Sequence, residues 1–278
     1  MCLAAEQSYE INKMKADFHM HTNFSKDSQS SPEEMIQESI CRGLKTICIT
    51  DHHDINFTEP GFEIDFERYI PTLQMLQEKY KDKIEILIGM EFGLQPEFGG
   101  FAKELANKYS FDFIIGSLHV VDGEDPYYGK CFLNKTDEEG YRRAFELMLE
   151  SVRNVSDYDS LGHIDYVVRY GKYQDREYSY AKYADYLDEI LKHLIQNGKA
   201  LELNTAGWKY GLSFAHPHQD VLKRYKQLGG ELLTIGSDGH RPEHVAYDFH
   251  KVKDYLEACG FEYYTEFRKR KPYFCALY

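Results

Sequence analysis

No apolar run in this sequence approaches the ~20 residues that a membrane-spanning helix needs, and Met1-Cys2-Leu3-Ala4-Ala5 is too short and uncharged to be a signal peptide. A soluble, cytoplasmic protein without a membrane partner is expected. No stretch rich in proline, glycine and serine divides the 278 residues, so one domain over 1–278 is expected, with residues 1–14 as a polar N-terminal extension. The six cysteines, at 2, 41, 48, 131, 259 and 275, include no C-x-x-C pair and form no dense framework; they read as free, reduced thiols, some of them buried. Basic residues are in short supply, 33 against 46 acidic ones, and the net charge of −13 opposes binding to nucleic acid. It does not oppose an anionic small substrate, because bound cations reverse the field locally. Neither G-x-G-x-x-G nor G-x-x-x-x-G-K-[ST] follows any strand, which excludes a nucleotide fold with a glycine phosphate cradle.

What is present is strongly patterned. Hydrophobic residues make up 42% of the chain and aromatics 15%, which excludes disorder, and the 23 tyrosines point to amphipathic contacts at a wet surface or cleft. Short apolar runs recur at 16–22, 46–50, 84–90, 111–118, 160–164, 200–204 and 232–236. Helical patterns lie between them at 31–41, 66–80, 101–109, 138–153 and 180–196, with a last one at 245–259 before an aromatic, basic tail. The first opens with Ser31-Pro32-Glu33-Glu34, an N-cap serine followed by proline and acids in the first turn. Seven strand-then-helix units with near-continuous apolar strands predict an α/β fold whose parallel sheet is buried on both faces. A (β/α)7 barrel and an open doubly wound sheet both satisfy this pattern.

The polar residues favour the barrel. His19 and His21 are spaced i, i+2, so a strand presents both imidazoles on one face. His52, Glu91, His119, His163, and Asp238 with His240 then terminate later strands, and a closed barrel brings all such ends round one mouth. Each is a good ligand for a divalent transition metal, where a burial-driven core would place valine, isoleucine or alanine. Together they exceed the three or four protein groups that one zinc ion takes, so more than one metal is expected, and the two oxygens of Glu91 can bridge a pair.

In this order the segments Asp17-Phe18-His19-Met20-His21-Thr22, Thr50-Asp51-His52, Gly89-Met90-Glu91, Gly116-Ser117-Leu118-His119, Leu161-Gly162-His163-Ile164-Asp165 and Gly236-Ser237-Asp238-Gly239-His240 resemble the polymerase-and-histidinol-phosphatase (PHP) superfamily over about residues 15–250. The resemblance implies a distorted (β/α)7 TIM-like barrel with up to three divalent ions, zinc, iron or manganese. It places His19, His21, Glu91 and Asp238 on the first ion and extends Glu91 to a second held by His119 and His163. His52 and His240 take the third, with Asp27 where some relatives have histidine. Phe111 to His119 with Asp122-Gly123, Gly162 to Asp165 with Arg169-Tyr170, and Leu203-Asn204-Thr205-Ala206-Gly207 resemble the histidinol-phosphate phosphatase branch, although Ala206, Trp208 and Lys209 depart from its usual Asn-Thr-Ser-Gly-Leu-Arg.

The expected activity is therefore metal-dependent hydrolysis of a small phosphate monoester, L-histidinol phosphate first, by a hydroxide bridging two metals. Glu91, Asp238 and His119 are the expected catalytic groups, and Arg169 and Lys209 the substrate contacts. The competing readings are a superfamily phosphoesterase acting on nucleotides or other small phosphate esters, and a non-catalytic module that keeps the fold. The oligomeric state is unreadable from the chain. Outside this set, His53 and Asp54 read equally as groups that orient His52 and as solvated loop residues. His216-Pro217-His218 reads as a loop motif, His193 as structural, and Arg268-Lys269-Arg270-Lys271 as a solvated run able to reach a phosphate.

Overall fold

Strand and helix alternate through the described residues, 14–55, 57–174 and 178–277 of the computed structural model. The extension assigned to residues 1–14 lies outside them except for Met14, which is buried in the core. In chain order the strands are β1 (Ala16–Asp17), β2 (Thr46–Ile49), β3 (His52–His53), β4 (Glu85–Gly93), β5 (Phe113–Ser117), β6 (Ser160–Leu161), β7 (Ala200–Asn204) and β8 (Leu233–Gly236), followed by β9 (Tyr263–Arg268) and β10 (Lys271–Ala276). The α-helices are α1 (Pro32–Cys41), α2 (Phe66–Tyr80), α3 (Gly99–Lys108), α4 (Asp137–Asn154), α5 (Ala184–Gln196), α6 (Ala206–Lys209), α7 (Gln219–Gln227) and α8 (Val252–Glu257).

The main sheet runs β1-β2-β4-β5-β6-β7-β8 with every pairing parallel, and β3 pairs with the far half of β4. Closure comes from the residues just beyond β1. The Phe18 N–H donates to Ile235 O at 2.9 Å, the Asp238 N–H to His19 O at 2.8 Å and the His21 N–H to Gly239 O at 2.9 Å. These bonds join the first strand to the last, so the sheet is a nearly closed seven-stranded barrel and the open-sheet alternative falls. Gly236 permits the join: a Cβ there would sit 2.2 Å from that of His19. Strands such as Thr46-Ile47-Cys48-Ile49 are buried along their whole length because helices cover the outer face and side chains fill the inner one. Ser31 and Glu34 form the capping box that starts α1, where the sequence places it.

Several expectations need correction. The pattern at 180–196 becomes α-helical only from Ala184, after a 3-10 turn at Tyr180–Lys182. The pattern at 245–259 shrinks to α8, because Asp248 takes a left-handed conformation (φ 54°) that breaks the helix. The basic tail is the turn of a β9–β10 hairpin, with Lys269 and Arg270 at φ 51° and 63°. That hairpin lies across the N-terminal ends of the barrel strands: the Leu233 N–H donates to Thr265 Oγ1, Phe267 packs on Phe113 at 5.1 Å, and Arg270 pairs with Asp159 at 2.5 Å. Its charges are held at the base and do not reach the strand C-termini. Cys48, Cys131, Cys259 and Cys275 are free thiols, but Cys41 is disulfide-bonded, which corrects the expectation that all are reduced; Cys2 lies outside the described residues. Among the described residues no helix is long and apolar enough to cross a membrane.

Candidate metal centre

Glu91, near the end of β4 and fully buried, is the hub of the barrel mouth. Its Oε1 lies 2.9 Å from His163 Nε2 and 3.2 Å from His119 Nε2. Its Oε2 lies 3.2 Å from His19 Nε2, 3.4 Å from His21 Nε2 and 3.0 Å from His52 Nδ1. The period-two spacing of the opening motif holds, with His19 Nε2 and His21 Nε2 3.1 Å apart and Met20 buried between their backbones. Asp238 Oδ1 faces the same pair, 3.4 Å from His21 Nε2 and 3.9 Å from His19 Nε2. On the outer side Asp27 Oδ2 stands 3.1 Å from His240 Nε2 and 3.5 Å from His52 Nε2. All the residues expected as metal ligands therefore meet at one place. His163 and Asp238 reach it through left-handed backbone, φ 38° and 52°, a cost that non-glycine residues bear where function demands the turn.

Neighbouring groups fix the imidazoles. His19 Nδ1–H donates to Glu202 Oε1 at 2.6 Å, His119 Nδ1–H to Asp54 Oδ1 at 2.9 Å, His240 Nδ1–H to Asp238 O at 3.1 Å and His21 Nδ1–H to Ser25 Oγ at 3.3 Å. In each case Nε2 is left as a lone-pair donor aimed into the cluster. Glu202 was not anticipated, though an acid in the middle of a buried strand, Ala200-Leu201-Glu202-Leu203-Asn204, was itself a signal. The alternatives left open for the residues after His52 now separate. Asp54 is buried between His119 and His52, whereas His53 turns outward, accepts from the Ile64 N–H at 3.0 Å and packs on Phe66.

Burial would raise the carboxyls of Glu91 and Asp238, but the surrounding imidazoles, His19 foremost, outweigh it and hold both well below their ordinary values. Asp27 is held low by His52 and His240 against its own burial. The acids are therefore ionised, and His19, His52 and His119 are driven upward, burial opposing, by the carboxylates around them. The cluster is short of positive charge. Glu91 Oε2, His52 Nδ1 and His163 Nδ1 are moreover buried without a hydrogen-bond partner. His19, His21 and Glu91 bring ligand atoms within 4.8 Å of one another, as do Glu91, His119 and His163, His21, His52 and His240, and His52, Asp54 and His119. Mixed imidazole and carboxylate donors at this spacing fit divalent ions, which would supply the missing positive charge beside Glu91 Oε2.

The cluster floors a cavity of about 820 Å³ walled by Phe57, Phe62, Tyr127, Tyr166, Tyr170 and Tyr210. Arg169 lies in this wall, buried, its guanidinium 4.0 Å from the centroid of Tyr210 and 4.9 Å from that of Tyr166. Its Nη2 comes within 4.0 Å of Asp238 Oδ2, yet Nη2 and Nε make no hydrogen bond. The tyrosine platform was foreshadowed only by composition. Lys209 is already engaged, donating from Nζ to Asp238 O at 2.7 Å. His216 lies outside the cluster and is buried, donating from Nδ1 to Asp165 Oδ1 at 2.6 Å, while the His218 N–H binds the other oxygen of Asp165. His193 sits on α5, also outside the cluster.

The model of the PHP domain matches residues 17–206, more than half of the chain. The chain belongs to the PHP domain family. This PHP protein is 35% identical over 263 residues to a histidinol-phosphatase of Lactococcus lactis subsp. lactis, covering 92% of this chain and 96% of that one. It is 34% identical over 248 residues to a probable histidinol-phosphatase of Clostridium acetobutylicum, covering 89% and 94%. The crystal structure of the Lactococcus lactis histidinol phosphate phosphatase complexed with zinc, L-histidinol and phosphate superposes with a TM-score of 0.86 over 93% of this chain and 98% of that one. A Listeria monocytogenes structure, 19% identical with a TM-score of 0.68 over 85% and 99%, shares the PHP barrel.

Proposed function

We propose that this PHP protein hydrolyses L-histidinol phosphate to L-histidinol and inorganic phosphate, the conversion expected of a chain so similar to histidinol-phosphatases. The observation that carries the reading is Arg169: a buried guanidinium with unpartnered N–H groups, clamped between tyrosine rings at the edge of the histidine–carboxylate cluster. Such a group is preorganised for a phosphate dianion.

His19, His21, Glu91 and Asp238 would hold one divalent ion, Glu91, His119 and His163 a second, and Asp27, His52 and His240 a third. Zinc, iron and manganese all suit these donors. When bound, the ions supply Lewis acidity at the phosphoryl oxygens and acidify the attacking water. The remaining work falls to the chain. Arg169 binds and orients the phosphoryl group and stabilises its equatorial oxygens. Lys209 holds the backbone at Asp238 and adds positive charge beside it. Asp238, ionised and with Oδ2 turned toward Arg169, takes the proton of the attacking water and returns it to the leaving alkoxide. His119 and Glu91 hold the floor of the site in register, and the tyrosine wall limits bulk water.

Comparing phosphate release from L-histidinol phosphate and from AMP tests the reading. A higher kcat/KM for histidinol phosphate is expected, and a preference for AMP would transfer the chain to the nucleotide-directed alternative.

A further inference from the structure

Of the carboxylates lining the cavity, Asp27, Asp54 and Asp238 all face imidazoles of the cluster. Asp125 does not. It is 8% exposed, its Oδ1 accepts from the Tyr127 N–H at 2.8 Å, and its Oδ2 has no hydrogen-bond partner among the described residues. The same cavity holds Arg169 and Arg241, so it carries a cationic group able to take a phosphate and an anionic group free to take a cation. The rings of Tyr127, Tyr166 and Tyr170 stand in series along this wall, Tyr127 to Tyr170 at 6.0 Å and Tyr166 to Tyr170 at 5.1 Å. Aromatic faces beside a carboxylate favour a desolvated ammonium.

We propose that Asp125 is the specificity-determining residue of the site, pairing with the protonated amine of the alcohol half of the substrate. The inference rests on the phosphomonoesterase reading above and adds what selects among esters: cationic amino-alcohol phosphates are taken over neutral ones. A phosphate bound at Arg169 leaves the amine of a 2-amino-alkyl ester free to turn along the same tyrosine wall toward Asp125. L-Histidinol phosphate carries that amine on the carbon next to the ester methylene, so the two charges of one small molecule meet the two charges of one cavity.

The test is the ratio of kcat/KM for O-phosphoethanolamine to that for ethyl phosphate, with L-histidinol phosphate run alongside, in the metal-loaded wild type, Asp125→Asn and Asp125→Glu. Asparagine keeps an oxygen for the Tyr127 N–H and removes only the charge. The wild-type ratio is expected to be at least tenfold in favour of the amine, to fall close to one in Asp125→Asn and to recover in part in Asp125→Glu. No amine preference in the wild type, an unchanged ratio in Asp125→Asn, or an equal loss on both esters overturns the assignment. A wild type that prefers phosphoethanolamine over ethyl phosphate but leaves histidinol phosphate untouched keeps the role of Asp125 and refutes the histidinol reading.

Discussion

Glu91 owes its ionised state to neighbours, not to water. Fully buried, it is surrounded by five imidazoles whose near atoms lie 2.9 to 3.4 Å away, and carboxylates behind two of those rings, Glu202 at His19 and Asp54 at His119, decide which nitrogen they present. Glu202 is the clearest case, since its hydrogen bond fixes the tautomer of His19. In Glu202→Gln, ion retention should weaken about 10- to 100-fold, read by elemental analysis after dialysis, with the fold intact by circular dichroism. Full retention would show that His19 needs no such partner. Replacing Arg169 by alanine should lower kcat/KM about 100-fold, the worth of charge-assisted hydrogen bonds to phosphate, and Arg169→Lys should recover only part because lysine lacks the planar fork. Burial lowers the Lys209 ammonium from its ordinary 10.5 to about 8. Between those values the unfolded chain binds the extra proton, so this group adds stability as pH rises through the window while the charge beside Asp238 disappears. KM for the phosphate ester should therefore climb above pH 8, and a climb just as steep in Lys209→Met would assign it to another group. The strand-end residues were legible because each follows an apolar run at a fixed topological place. Asp54 was legible only as one of two even readings and Glu202 was not anticipated, because the imidazoles they hold, His119 and His19, come from elements distant in the chain.

Among the elements, the C-terminal hairpin departs most from what periodicity conveys. Residues 263–276 read as a basic, aromatic tail because Lys269-Arg270 is not one of the asparagine–glycine pairs that announce a two-residue turn. Tertiary contacts supply the reason for the hairpin. Phe267 is buried against Phe113 and the backbone N–H of Arg270 donates to Asp112 O at 2.9 Å, so β9 seals the base of the barrel while the chemistry occupies the other end. Phe267→Ala should cost about 3–5 kcal/mol of stability, measured by denaturant unfolding, by leaving a cavity under β5. A loss under 1 kcal/mol would mean that the hairpin rests on the barrel without sealing it. The apolar strands were legible in order and, except for β1 and β6, which keep only two regular residues each of the runs 16–22 and 160–164, nearly in extent, because burial on both faces leaves a continuous hydrophobic run. The shortening of α8 was not, since left-handed Ala246 and Asp248, φ 48° and 54°, break an otherwise helical pattern.

For the whole molecule, closure of the barrel is what turns scattered residues into one site. The bonds from Phe18, His21 and Asp238 across the β1–β8 seam bring the first and last motifs together, and the two sides of the seam supply His19, His21, Asp238 and His240. A net charge of −13 and a mouth that gathers carboxylates and imidazoles make this a protein whose phosphate site depends on bound cations. Removing them should leave the ionised acids facing one another and lower the melting temperature as well as the activity. The most direct measurement is phosphate release from L-histidinol phosphate by protein stripped with a chelator, verified as metal-free, and then reloaded with zinc or manganese. Turnover should fall by more than 100-fold on stripping and return on reloading, in keeping with the share of the barrier that metal catalysis supplies. Undiminished turnover by the metal-free protein would contradict the account.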